Sequence, residues 1–167
     1  MRFLAVATVA GATLVAGIVA TPSAVAASCP VSFPNLVKDP NAGFPATAFN
    51  YGDARIRVDL NWTDGILRAG RLPGGGSIAT INPDGSISAK LGWWRGVRGA
   101  FSIIGRRLDR PAPPLRVSLH TASYPTIGFI PSGLTFPTIG CWRVTATQGV
   151  GRLTFVVLVT KQVVAKG

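Results

Sequence analysis

"ARIRVDLNW", residues 54–62, alternates apolar and polar side chains from end to end. Ala54, Ile56, Val58, Leu60 and Trp62 fall on one side, and Arg55, Arg57, Asp59 and Asn61 on the other. A period of two marks a half-buried strand, since successive side chains of extended backbone leave on opposite faces. "TDG", residues 63–65, closes it, and the pattern repeats outward from there. "ILRAGRL" (66–72), a glycine turn "PGGG" (73–76) and "SIATI" (77–81) lead to "NPDG" (82–85). In that last turn proline presets one φ and glycine accepts a positive one, which predicts a hairpin. "SISAKLGWW" (86–94) returns with Ile87, Ala89, Leu91 and Trp93 on one face.

The second half keeps the style. "AFSIIGRRL" (100–108) reads as a strand, and "DRPAPP" (109–114) as a rigid connection that neither helix nor central strand tolerates. "LRVSLH" (115–120) turns Leu115, Val117 and Leu119 inward and Arg116, Ser118 and His120 outward. "GLTFPTIG" (133–140) leads into "CWRVTAT" (141–147), where Trp142, Val144 and Ala146 share a face; "QGVG" then turns the chain into "RLTFVVLVT" (152–160). No stretch after residue 27 shows a helical period with caps. Eight or nine short strands, with 20 Gly and 13 Pro in the chain, predict an all-β sandwich.

Residues 1–27 have the layout of a cleaved secretory signal peptide. Arg2 supplies the basic start, residues 3–20 the apolar core, and Ala24-Val25-Ala26 a small-residue cleavage site. A membrane anchor is the competing reading of the same run. The expected division is therefore a signal peptide, 1–27, followed by a single β-sandwich domain, 28–167, of ample size for one core. The location implied is secreted or extracytoplasmic. Two cysteines, Cys29 and Cys141, in an exported chain read as a disulfide, whose loop of roughly 110 residues is worth roughly 4–5 kcal/mol in the chain-entropy model. Lipid anchoring through Cys29 is the alternative, and it would leave Cys141 without a partner.

Several segments resemble segments of a group of uncharacterised bacterial exported domains with an immunoglobulin-like β-sandwich. They are "CPVSFPN" (29–35), "WWRGVRG" (93–99), "GRRLDRPAPPLR" (105–116) and "GCWRVTATQGVGRLTFVVLV" (140–159). The resemblance implies that fold and a structural role for the cysteine before tryptophan, and it carries no activity. It departs at Arg143, where an acid is expected after "GCW".

His120 followed by Thr138-Ile139-Gly140-Cys141-Trp142-Arg143 is also similar to the L,D-transpeptidases, exported cysteine enzymes of peptidoglycan. Their thiolate attacks an acyl donor and an imidazole takes the thiol proton. Cys141 and Arg143 match that signature, but Ile139 and Thr121 replace a histidine and a glycine of it. His120 is the one histidine in the chain, so no substitute exists. Other catalytic sets are poorer still. The chain has no glutamate for a carboxylate pair, no nucleophile elbow and no phosphate loop. One histidine with two bonded cysteines makes no zinc set, so neither a metal nor a cofactor is expected.

Charge points to binding. Lys+Arg number 17 against six acids, all aspartate, for a net +11 to which Arg2 contributes one. Such a surplus favours anionic polymers or membrane surfaces. The sequence reading is thus a non-catalytic binding or structural module at the bacterial cell envelope or outside the cell. Its partners would be anionic wall polymers, a membrane surface or another envelope protein, with no specific nucleic acid implied. Arg55, Arg57, Arg116 and Arg143 sit at outward strand positions and are candidates for that contact. A second candidate surface is Trp94 with Arg95 and Arg98: Trp93 and Trp94 must face opposite ways, and an outward Trp94 beside arginines suits a carbohydrate or protein contact.

Overall fold

In the computed structural model, residues 28–35, 49–70 and 79–162 are described. The signal-peptide reading of 1–27 and the "PGGG" turn lie outside them. The described residues form ten strands: β1 (Asn50–Gly52), β2 (Ile56–Asp59), β3 (Ile66–Ala69), β4 (Ala79–Ile81), β5 (Ile87–Arg95), β6 (Phe101–Arg107), β7 (Arg116–Leu119), β8 (Gly128–Phe136), β9 (Gly140–Gln148) and β10 (Gly151–Lys161). One turn of 3-10 helix, Thr121–Ser123, follows β7. No helix among the described residues is long and apolar enough to cross a membrane.

Two sheets share the strands. Sheet A runs β1-β2-β5-β8-β7, with β4 also paired to β5, and every pair in it is antiparallel. Sheet B runs β3-β10-β9-β6, antiparallel except for β3, which lies parallel to β10. The sheets face one another across one apolar core. Trp93 of β5 reaches across to Phe101 of β6 and Phe155 of β10, with ring centroids 5.7 and 6.3 Å away. Phe136 of β8 meets Trp142 of β9 at 5.6 Å. Trp93 is fully buried, and its indole N–H donates to Ser132 Oγ at 2.8 Å, which removes the cost of an unsatisfied donor in the core.

Most predicted faces are observed: Ile87, Ala89, Leu91, Trp93, Trp142, Val144 and Ala146 are all buried. "NPDG" makes the β4–β5 hairpin, with Asn82 and Ser86 bonded across it and Gly85 at φ 79°. Two differences have local causes. The strand predicted across 54–62 spans Ile56–Asp59 alone, and Ala54 lies exposed in the turn before it. Asp59 accepts the Asn61 N–H at 3.2 Å and Asn61 takes φ 58°, a conformation that asparagine tolerates and a strand does not. Conversely, β8 extends back to Gly128 through Pro131. Pairing with β7 covers residues 132–135 of β8 and stops short of Pro131, so the proline stands where one side of the strand is open.

The segment 28–35 runs beside sheet B. Its Ser32 exchanges hydrogen bonds with Val156 of β10 at 2.8 and 3.0 Å, above the stretch that pairs with β3. Cys29 and Cys141 are joined in a disulfide, so the expected staple is present.

Candidate functional site

The candidate nucleophile is a structural sulfur. Cys141 is buried at the start of β9 and bonded to Cys29, so its sulfur carries no thiolate. Around it, "GRRLD" and "TIGC" form one clamp. Arg107 grips Asp109 through two hydrogen bonds of 2.7 and 2.9 Å and donates to Thr138 Oγ1 at 2.8 Å. The Cys141 N–H donates to the same carboxylate at 3.3 Å, and the Trp142 indole to the Thr138 carbonyl at 3.0 Å. Hydrogen bonds from Arg107 hold the Asp109 pKa down to about 2. Gly140, at φ 136°, is required here: a Cβ would run into the Arg107 guanidinium. His120 is exposed ahead of the 3-10 turn that follows β7, in the other sheet.

Trp94 takes the outward side that its position predicts and is half-buried, while two of the candidate arginines near it differ from the expected surface. By register Trp94 stands on the outer face of sheet A, opposite Arg57. Arg57 lays its guanidinium 5.9 Å from the Trp94 ring centroid, which engages one face of that ring within the fold. Arg57 itself is only 1% exposed, so it is not the solvent-facing cation its strand position predicts. Arg95 is a second correction. It shares the inward parity of Trp93 and is 2% exposed, donating to the carbonyls of Pro125 and of Gly128, the latter at 3.4 Å, over the Phe101 ring. Desolvation lowers its pKa from the usual arginine value. Neither Arg57 nor Arg95 presents its guanidinium to solvent. Arg98, in the β5–β6 turn, and Arg55, in the β1–β2 turn, are exposed.

Arg116 and Arg143 stand on different sheets. Arg116, exposed on the outer face of sheet A, is matched: it binds Asp84 at 3.2 Å and Ser86 Oγ at 3.0 Å. It borders a groove of about 560 Å³ with Asn82, Pro83, Asp84, Ser118 and Thr135, where charges of both signs meet. Hydrogen bonds from Ser86 and then Arg116 draw the Asp84 pKa down to about 2. Arg143 is half-buried on the outer face of sheet B, directly opposite Arg106. Arg106 and Arg152, which line a depression with it, were not among the sequence candidates. Their outward direction was readable from the alternation around Ile103 and Leu153; their proximity to Arg143 was not, because register is a long-range property.

Acids and bases are thus used differently. Each described aspartate has work inside the fold. Asp53 accepts the N–H groups of Arg55 and Ile56, Asp59 that of Asn61, and Asp64 binds Arg68, while Asp84 and Asp109 hold Arg116 and Arg107. Arg55, Arg98, Arg106, Arg143 and Arg152 have no ion pair among the described residues. Among those residues no three His, Cys, Asp or Glu side chains converge as a metal site would need. Comparison of the chain with protein-family models, curated proteins and solved structures finds no match.

Proposed function

We propose that the chain is an extracytoplasmic, non-catalytic binding module of immunoglobulin-like topology that contacts an anionic partner at the cell envelope. The observation that carries this reading is the set of unmatched arginines: the described aspartates are all engaged inside the fold, and among the described residues no acid pairs with Arg55, Arg98, Arg106, Arg143 or Arg152. A surplus of this kind raises the local concentration of anions. The disulfide supports an oxidising compartment. It also speaks against the transpeptidase alternative, since that chemistry needs a free thiolate at Cys141.

The strand order supports the topology. Lettering β2, β5, β6, β7, β8, β9 and β10 as A to G gives A-B-E-D against G-F-C, the arrangement of a seven-stranded immunoglobulin-type domain, with β1, β3 and β4 as additions. The staple is placed differently from the usual B–F bridge: it ties the segment before strand A to the start of strand F.

Cosedimentation of the disulfide-bonded protein with anionic and with neutral envelope fractions, across a salt series, tests the reading. Binding should require the anionic fraction and weaken steeply as the Debye length contracts from about 10 Å at 0.1 M to about 3 Å at 1 M. Salt-resistant binding abolished by Trp94→Ala would replace it with an aromatic contact. Peptidoglycan cross-linking lost in His120→Ala would replace it with an enzyme.

A further inference from the structure

We infer that the outer face of sheet B is where the partner lies, and that Arg106, Arg143 and Arg152 hold successive phosphate groups of a linear envelope polymer. The inference rests on the anionic-partner reading and assigns it a place and a ligand chemistry. The three arginines, with Ile104, Gly105 and Thr145, line a depression of about 280 Å³. Arg106 and Arg143 are direct cross-strand partners, and like charges placed opposite each other on one face of a sheet destabilise it. Three arginines on other parts of the strands are matched with aspartate: Arg68 with Asp64, Arg107 with Asp109, Arg116 with Asp84. Here no described acid answers any of the three, so the fold carries an electrostatic cost that an anion would relieve.

Geometry narrows the ligand. Arg143 is paired with Val156 of β10, whereas Arg152 lies four residues earlier on that strand, roughly 13 Å along the sheet at the usual rise. That span exceeds one phosphate or carboxylate and suits groups repeated along a chain. Each guanidinium fork can grip the two free oxygens of one such group, and the planar, weakly hydrated guanidinium is the side chain best suited to phosphate. The hydroxyl pair Thr145–Thr154 at 2.9 Å lies between Arg143 and Arg152, and Ser102–Thr147 at 2.8 Å stands level with Arg152, so the surface along the span is polar. The outward positions of β6 and β9 carry no aromatic side chain, and so lack the stacking platform by which single-stranded nucleic acids are held. Ile104, 66% exposed, is the one apolar side chain lining the depression, too little for insertion into a bilayer.

The test uses the disulfide-bonded secreted chain and titrates inorganic polyphosphate, polyglutamate and phosphatidylglycerol vesicles by calorimetry at low salt. Polyphosphate should bind best. Arg106→Gln/Arg143→Gln/Arg152→Gln should weaken it by at least about tenfold, the equivalent of one lost charge-assisted hydrogen bond. Arg55→Gln/Arg98→Gln should change it less than about twofold, as general screening predicts. Arg143→Glu, which sets a carboxylate opposite Arg106, should raise the melting temperature while abolishing binding, so that loss of affinity is not loss of fold. Wild-type affinity in the triple variant would overturn the site and leave the anionic-partner reading standing. Equal dependence on polyglutamate would overturn the phosphate assignment, and preferential vesicle binding would make the face a membrane contact. No binding of any polyanion by the wild type would sink both the inference and the reading beneath it.

Discussion

Removing the Cys29–Cys141 bridge should cost this fold more than any single side chain on its surface. The bridge spans a sequence separation of 112, and the chain-entropy relation gives about 4.8 kcal/mol at 25 °C for a loop of that size. Unfolding entropy of about 2.1 cal/mol/K per residue over roughly 140 residues makes each kcal/mol worth about 3–4 °C, so the expected fall in Tm is about 15 °C. The native contacts of the segment do not depend on the sulfur alone. Ser32 remains bonded to Val156, and Asn35 to Asn50, so the reduced protein should keep its folded spectrum at 25 °C. The assay is differential scanning calorimetry of Cys29→Ser/Cys141→Ala beside the wild type, with and without reductant. The reductant should reproduce the variant's Tm in the wild type and leave the variant unmoved. A fall of less than about 4 °C with both thiols titratable would mean that the bridge constrains the unfolded chain little, and would refute the entropic account.

The clamp around Cys141 gives two further predictions. Gly140→Ala should destabilise by about 2 kcal/mol, because it forces an L residue to φ 136° and drives its Cβ into the Arg107 guanidinium; chemical denaturation measures it, and an unchanged midpoint would contradict the contact. Asp109, held at about 2 by Arg107, titrates near 3.9 when unfolded. Its contribution is therefore complete above about pH 4 and disappears as pH falls through about 2, and Asp109→Asn should flatten the acid limb of a Tm-against-pH curve across that window.

How far the sequence carried the fold depended on whether the signal was local. Alternation is local, so the inward faces of β5 and β9 could be read directly, and so could the NPDG hairpin. Pro131, with Gly128 and Gly133 on either side, interrupts the alternation of β8, and only the short reach of β7 explains why a strand survives there. Residue type misled where it opposed parity. Arg95 follows Ile87, Ala89, Leu91 and Trp93 on the same face, yet a guanidinium argues for solvent. The structure resolves the conflict by supplying carbonyls of Pro125 and Gly128 and the Phe101 ring around the charge, partners that lie on other strands and loops and that no window of sequence displays.

The same limit applies to the arginines. Their number is plain in the composition, but what separates a matched arginine from an unmatched one is the distance to one of very few aspartates. Arg68, two residues along β3 from the turn that holds Asp64, finds it at i−4, and Arg107 finds Asp109 two residues on; these pairs are local. Arg116 meets Asp84 only because β7 and the β4–β5 hairpin are brought together by β8. Arg106 and Arg143 are opposed for the same kind of reason, through the register of β6 on β9, and with opposite electrostatic effect. A β-sandwich with one polar face per sheet can therefore hold its charges differently on the two: on sheet A Arg116 is matched by Asp84 while Lys90 stays exposed, and on sheet B no described acid answers Arg106, Arg143 or Arg152. Three of the five arginines without an ion pair among the described residues thus share one face, the kind of clustering that electrostatically directed binding would need.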